Sequence, residues 1–204
     1  MMKIFVTFLL FTVAVNAQMT CRMQALNVPT EWIGLNPKNG QCLDEMRKQI
    51  QMEINASNIY LAMAAHFSRD LINRPGFADF FFKSAREERG HGLKLIEYLS
   101  MRGQLTDNVT DLIQLLDVDV KIENGADALR QALELETKVT KSIRALIRTC
   151  EKGTNWYHLV DWLTGEFLEE QLTGQRDLAG KLSTLTKMMN EHGALGEFLF
   201  DKEL

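Results

Sequence analysis

A glutamate and a histidine three residues apart, Glu88 and His91, have the clearest capacity for chemistry in this sequence. They lie in residues 82–99, a stretch with the apolar spacing of an amphipathic helix. Residues three apart on a helix project from one face, so a carboxylate and an imidazole can reach the same metal ion. Such pairs are also common on solvated helices. A metal site would require further carboxylates from other helices.

Candidate partners interrupt the apolar faces of three other predicted helices. They are Glu53, Glu136, and Glu170 followed by Gln171, while Tyr60 lies seven residues after Glu53 on the same face. Taken singly, each acid is typical of a surface, and the tyrosine is typical of a core. Buried carboxylates are costly unless they are paired or bound to metal. Their combination with the glutamate–histidine pair therefore predicts a cation site.

The elements that must position these side chains are helices, since the chain has only three prolines and little strand-like alternation. Apolar periodicity predicts four long helices and a short fifth, over residues 42–69, 77–102, 124–151, 156–190 and 194–201. About twenty residues separate the second helix from the third, where antiparallel neighbours need only a few. The expected fold is an all-α four-helix bundle whose long crossover makes helices two and three parallel.

The N-terminus has the pattern of a secretory signal rather than of a folded element. A short positive segment ending at Lys3 precedes an apolar run over 4–15, and cleavage is expected after Ala17. We expect a signal peptide at 1–17, an extension at 18–39 and one domain over 40–204. No later stretch has the roughly 20 consecutive apolar residues that a membrane span needs. A net charge of −4 gives no reason to expect nucleic acid or an anionic membrane as partner.

Secretion gives the three cysteines an oxidising environment. An odd number suggests one internal bridge plus an intersubunit bridge or a free thiol. Cys21 and Cys42 are the favoured internal pair, and Cys150 would then form the intersubunit bridge or remain a free thiol. Of two glycosylation sequons, the one at Asn108 lies in a predicted loop, and the one at Asn55 lies within a helix. Histidines other than His91 lack acids at ligand spacing and are interpreted as structural or surface residues.

Over roughly residues 40–202 the sequence resembles heavy (H-type) ferritin subunits, in particular the secreted insect type. The resemblance is carried by five segments: Glu53-x6-Tyr60-Leu61-x-Met63, Glu87-Glu88-Arg89-x-His91, Ala132-Leu133-x-Leu135-Glu136, Phe167-Leu168-x-Glu170-Gln171 and Glu197-Phe198-Leu199-Phe200-Asp201-Lys202. It implies a ferritin-like bundle whose subunit oxidises Fe(II) with O2. It also implies a 24-subunit iron-storage cage shared with a light-type subunit, in the secretory pathway or outside the cell.

The resemblance also assigns a role to each candidate residue. Iron would be substrate at a di-iron centre, with the first ion held by Glu53, Glu88 and His91, and Glu88 bridging. Glu136 would hold a second, weaker ion, with Glu87 and Gln171 near it and Gln171 counted among the metal ligands. Tyr60 would stand beside the first ion. Light-type subunits typically lack this set, so the chain resembles the catalytic type.

Two departures from the family pattern carry expectations of their own. The inner face of helix two lacks the acidic patch associated with mineral growth, having instead Lys83, Arg86, Gly90 and Leu93. We therefore expect iron oxidation with poor mineral nucleation. Near the start of helix four Asp161 is kept but the next expected acid is Thr164, which leaves the route of iron access open.

Two other functions fit a secreted helical bundle: a non-storage di-iron oxidase of the same fold, and a receptor ligand. The absence of a second Glu-x-x-His pair on helix four speaks against the first. Several acids on inward faces speak against the second.

Overall fold

The computed structural model describes residues 40–105, 112–114 and 117–204. These residues all belong to one compact unit, Glu31–Leu204. The expected signal peptide, the N-terminal extension, Cys21 and Asn108 lie outside the described residues. Within the described ranges no helix is both long and apolar enough to cross a membrane.

The described chain is helical. The helices are α1 (Gly40–Phe67), α2 (Pro75–Met101), α3 (Gly125–Glu151), α4 (Tyr157–Trp162), α5 (Glu169–His192) and α6 (Ala194–Glu203). Proline at the first position of α2 suits a helix start, because its missing N–H has no partner there. Asn124 caps α3 by accepting a hydrogen bond from the backbone N–H of Asp127 at 2.9 Å.

The predicted fourth helix consists of α4, a π-helical segment and α5 in direct succession. The π-helical segment covers Leu163–Leu168 and was not expected from the sequence. Segments of this kind shift the phase of a helix and are frequent at functional sites. Here the segment ends just before Glu170 and Gln171.

Side-chain contacts fix the directions of the first three long helices. Ser57 donates to the carbonyl of Ala85 at 2.7 Å, and Phe67 stacks on Phe77 with ring centroids 4.8 Å apart. Later residues of α1 thus meet earlier residues of α2, so the two helices are antiparallel. α1 is likewise antiparallel to α3, since its start is joined to the end of α3 and Tyr60 contacts Glu136. α2 and α3 are therefore parallel, which confirms the expected crossover.

A disulfide joins Cys42 to Cys150, with Cα atoms 4.9 Å apart and a sequence separation of 108. The predicted pairing of Cys21 with Cys42 is therefore wrong. The antiparallel arrangement of α1 and α3 brings the first turn of one helix against the last turn of the other. Proximity along the sequence gave no sign of this contact.

The short helix α6 docks on its own bundle through two acids. Glu197 accepts from Arg74 Nε at 2.9 Å and from the backbone N–H of Gly125, the first residue of α3, at 3.0 Å. Asp201 accepts from the backbone N–H of Phe77 in the first turn of α2, also at 3.0 Å. One helix thus satisfies free N–H groups at the starts of two others. Of its larger apolar side chains, Phe200 is buried, and Leu195, Phe198 and Leu199 stay about half exposed.

Candidate metal centre

Three side chains from α1 and α2 form a cluster of ligand atoms at mid-bundle. Glu53, Glu88 and His91 each offer one ligand atom, and these atoms all lie within 4.8 Å of one another. The three residues are 0%, 4% and 7% exposed. Among the described residues, Glu53 Oε2, Glu88 Oε2 and His91 Nδ1 have no hydrogen-bond partner. Burying such atoms unpaired is costly, and a cation would satisfy all three.

Both carboxyls of the cluster have a raised pKa, because they are buried close to other acids. Burial, followed by the neighbouring Glu88 carboxylate, raises the pKa of Glu53 well above its ordinary value. Burial, followed by the charge of Glu136, raises the pKa of Glu88 to about 8. Protons therefore remain on this cluster at a pH at which exposed carboxyls are ionised. A divalent ion would displace them, and carboxylates with an imidazole suit Fe(II).

Two residues outside the predicted ligand set hold these ligands in place: Gln49, and Glu170, which the sequence offered only as a candidate. Gln49 donates its amide N–H to Glu53 Oε1 at 2.7 Å. Glu170 lies with Oε2 3.1 Å from His91 Nε2. Because a carboxylate accepts, Nε2 carries the imidazole proton and Nδ1 presents its lone pair to the cluster. Gln49 could have been found as the residue four before Glu53 on the same face. The contact of Glu170 with His91 could not have been found, because the direction of the Glu170 side chain depends on the π-helical segment.

Glu136 lies next to the cluster but is hydrogen-bonded on both oxygens. The Tyr60 hydroxyl donates to Oε1 in a short contact, and Gln171 Nε2 donates to Oε2 at 2.8 Å. Burial, followed by the charge of Glu136, raises the pKa of Tyr60 well above its ordinary value. A metal ion at Glu136 would have to displace one of these donors. The two predicted metal positions therefore differ: one has free ligand atoms and the other does not.

The carbonyl oxygen of Gln171 faces away from Glu136. Thr140 Oγ1 donates to it at 2.6 Å, and the Gln175 amide donates in turn to Thr140 Oγ1. A carboxylate accepts only, so the amide nitrogen of Gln171 must face Glu136. Gln171, predicted as a metal ligand, here acts as a donor to the predicted second-site acid.

Glu87 lies at the edge of the site rather than within it. Its side chain is 49% exposed, with Oε1 3.6 Å from Lys83 Nζ. A cavity of about 150 Å³ extends from this edge inward. Among its lining residues are all the predicted site residues except Glu53: Tyr60, Glu87, Glu88, His91, Glu136 and Gln171. The structure thus brings the predicted residues to one place.

An adjoining cavity forms a groove between α2 and the fourth helix. Lys83 lines its α2 side, and Glu166, Glu169 and Asp177 line the far side. Arg86 lies on α2 three residues after Lys83. Near the start of the fourth helix, Asp161 is exposed. The hydroxyl of Thr164 donates to its own helix, to the carbonyl of Val160 at 2.7 Å.

Comparisons with known proteins agree with this architecture. The family described as "Ferritin-like domain" matches residues 43–188. The ferritin heavy chain of Drosophila melanogaster is 57% identical, over 100% of both chains. That of Papilio xuthus is 58% identical, over 90% of this chain and 87% of its own.

A solved structure, the secreted ferritin of Trichoplusia ni, superposes with a TM-score of 0.84 at 54% identity. It covers 90% of this chain and 96% of its own. A four-helix bundle with a short C-terminal helix and a buried carboxylate–histidine cluster thus coincides with high identity to heavy chains along most of the sequence. The chain belongs to the ferritin family and is similar to the ferritin heavy chains of insects.

Proposed function

We propose that this protein is the ferroxidase subunit of a secreted iron-storage ferritin. It oxidises Fe(II) to Fe(III) with O2 at a site within the subunit. The observation that carries the proposal is the set of three buried, unpartnered ligand atoms on Glu53, Glu88 and His91. Membership of the ferritin family and similarity to heavy chains support it.

The reaction requires two Fe(II) ions, each giving one electron to O2. With two protons from solvent, the products are two Fe(III) ions and hydrogen peroxide. Glu53, Glu88 and His91 would hold the first ion, and Glu88 is close enough to Glu136 for the charge of that residue to raise its pKa. The second ion would bind Glu136 only after the hydrogen bond from Tyr60 or Gln171 is released. Iron held this weakly at its second position behaves as a substrate in transit.

The proposal includes secretion and assembly. An intrasubunit disulfide fits an oxidising compartment, and the expected signal peptide points the same way. Exposed Leu195, Phe198 and Leu199 on α6 provide an apolar surface that assembly into a 24-subunit cage would cover. The lysine and arginine on α2 support the need for a light-type partner in mineral growth. The acids at 166, 169 and 177 lie across the groove from Lys83 and could supply the carboxylates that α2 lacks, so this part of the proposal needs its own experiment.

The test of the activity is oxygen uptake on addition of Fe(II), together with the mass of the particle by size-exclusion chromatography. Glu136→Gln removes a site acid, and Glu134→Gln changes an exposed acid two residues away on the same helix. We expect uptake by the wild type and by Glu134→Gln, and at least a tenfold slower rate for Glu136→Gln. A particle that takes up no oxygen with Fe(II) would refute the activity. A monomer without uptake would favour a receptor ligand instead.

The test of mineral growth uses the chain assembled without a partner subunit. We expect Fe(II) to be oxidised but ferric oxide to accumulate slowly inside the particle. Efficient core formation by the homopolymer would contradict the need for a light-type partner. In that case, Glu166→Gln and Glu169→Gln would show whether the acids across the groove replace those missing from α2.

A further inference from the structure

A line of aromatic rings leads away from the metal site to the surface of the bundle. The ring of His91 lies 5.4 Å from that of Phe167, and Phe167 contacts Trp162 edge-on at 5.2 Å. Trp162 stacks on Tyr98 with centroids 4.8 Å apart and ring planes 24° apart. We name Phe167, Trp162 and Tyr98 the aromatic relay. It begins next to His91, a predicted iron ligand, and shares no member with the residues assigned above to oxidation.

The far end of the relay has the hydrogen bonds of a tyrosine that can lose a proton and an electron together. Arg102 Nη1 lies 3.1 Å from the Tyr98 hydroxyl oxygen, and His158 Nδ1 lies 3.0 Å from the same oxygen. A guanidinium only donates, so the phenol oxygen accepts from Arg102. In the His158 tautomer that carries its proton on Nε2, Nδ1 accepts the hydrogen bond from the phenol O–H. His158 is exposed, and a proton that it accepts can pass to solvent.

The Tyr98 phenol is largely shielded from bulk water, whereas His158, its proton acceptor, is exposed. Tyr98 is 4% exposed. With Trp162 and His158 it lines a surface cavity of about 490 Å³. Burial raises the pKa of Tyr98 in spite of Arg102, so the phenol is protonated at neutral pH and has a proton to release. From the sequence His158 is interpreted as a structural or surface residue, and the structure gives it a specific partner in Tyr98.

We propose that the aromatic relay carries single electrons from Tyr98 to the metal site, with Tyr98 as the residue that is oxidised and His158 as its proton acceptor. The relay rests on the proposed function, because that reaction supplies its oxidant. Tryptophan and tyrosine are the most readily oxidised aromatic side chains, and Phe167 serves as the packed medium between His91 and Trp162. The relay moves the oxidising equivalent from the buried ligands to the surface cavity lined by Tyr98, Trp162 and His158, which a small reductant can enter.

The step balances when hydrogen peroxide, the product of the first oxidation, meets a single remaining Fe(II). Fe(II) gives one electron, the O–O bond breaks, and one proton is taken up to form Fe(III), water and a hydroxyl radical. The radical takes one electron through the relay and one proton from solvent to form a second water. Tyr98 becomes a neutral tyrosyl radical, and its phenolic proton moves to His158 Nδ1. A solvent reductant, such as ascorbate or Fe(II), returns the electron and allows the proton to return.

The experiment is freeze-quench electron paramagnetic resonance on the assembled full chain. The protein is loaded with less than one Fe(II) per subunit and mixed with hydrogen peroxide. The chain has three tyrosines, so single Tyr→Phe variants identify the radical. Tyr98→Phe keeps the stacked ring and removes only the hydroxyl. Tyr157→Phe is the matched control, because Tyr157 is 79% exposed and outside the relay.

We expect a tyrosyl signal in the wild type and in Tyr157→Phe, and a loss of at least tenfold in Tyr98→Phe. His158→Phe, at an exposed position, should lower the yield several-fold while Tyr98 remains. A signal that persists in Tyr98→Phe, or that is lost only in Tyr60→Phe, would overturn the relay. Fe(II) oxidation by O2 is measured on the same samples. Normal oxidation without a Tyr98 radical refutes the relay alone, whereas absent oxidation in the wild type refutes the proposed function.

Discussion

The amide nitrogen of Gln171 lies 2.8 Å from Oε2 of Glu136, on the side of that carboxylate opposite Tyr60. Both oxygens of Glu136 are thereby occupied, while Glu53 and Glu88 each keep one oxygen without a partner. An ion that arrives at the site therefore meets free ligands at one position and hydrogen-bonded ones at the other. Order of filling follows from this difference: the first position should fill before the second.

Thr140 is predicted to fix the orientation of Gln171. In Thr140→Val the buried carbonyl oxygen of Gln171 loses its donor, and an unsatisfied buried acceptor costs about 1–3 kcal/mol. We expect the free energy of unfolding to fall by about that amount and Thr140→Ser, which keeps the hydroxyl, to restore most of it. Urea denaturation of the metal-free protein measures both. Equal stability of the valine and serine variants would show that the hydroxyl has no such role.

The stability of the metal-free protein should decrease as pH rises. The pKa of Glu88 is raised from 4.5 to about 8, so between these values the folded chain binds more protons than the unfolded chain. The free energy of unfolding then falls with rising pH across this range and levels off above it. Denaturation midpoints at about pH 5 and about pH 8 measure the slope.

Other groups also titrate in this range, so the pH experiment needs a matched variant. Glu88→Gln removes the buried carboxyl, and its slope should be flatter than that of the wild type. Glu134→Gln, at an exposed position on α3, should keep the wild-type slope. A Glu88→Gln slope as steep as that of the wild type would contradict the assignment.

Gly76 is predicted to be irreplaceable even by alanine. A Cβ there would collide with the backbone carbonyl oxygen of Asp201, which a helix cannot move without losing the docking of α6. Gly90 is also helical, but a Cβ there meets nothing within 4 Å. We expect Gly76→Ala to lower the melting temperature and Gly90→Ala to raise it. The free energy of unfolding should rise by up to about 1 kcal/mol in Gly90→Ala. Thermal unfolding of the two variants measures both melting temperatures. Similar shifts in Gly76→Ala and Gly90→Ala would refute the close contact between Gly76 and Asp201.

Loss of the disulfide should destabilise the subunit strongly. The bond closes a loop with a sequence separation of 108, and closing a loop of this length in the unfolded chain corresponds to about 5 kcal/mol. Cys150→Ser should therefore lower the free energy of unfolding by about that amount. Guanidinium denaturation measures it, with the wild type in reductant as a second route to the same state. An unchanged midpoint in both would show that the bond adds little.

The order and type of the helices could be predicted from the sequence because apolar periodicity and a few boundary residues specify them locally. Helices two and three were predicted to begin at residues 77 and 124, and the structure begins them at Pro75 and Gly125, within two residues. The crossover was predictable as well, since its length alone sets the direction of α3. Family resemblance then selected Glu53, Glu88 and His91, which the structure places within reach of one ion.

Contacts that depend on exact distances between helices could not be predicted in this way. The partner of Cys42 lies 108 residues away, and nothing local identifies it. The hydrogen bond between His91 and Glu170 depends on a π-helical segment whose sequence looks like an ordinary helix. The hydrogen bond from the Tyr60 hydroxyl to Glu136 is a contact of the same kind, because the side-chain direction depends on packing between α1 and α3.

The ten residues of α6 have a consequence for the order of events during synthesis. Glu197 and Asp201 supply acceptors to the first turns of α3 and α2, which leave the ribosome long before them. Until residues 194–203 have emerged, those N–H groups depend on water, and the docking surface around Gly76 and Phe77 stays uncovered. Completion of this end of the bundle must therefore wait until α6 has been translated, and a nascent chain stalled within it should remain sensitive to proteases at residues 68–77.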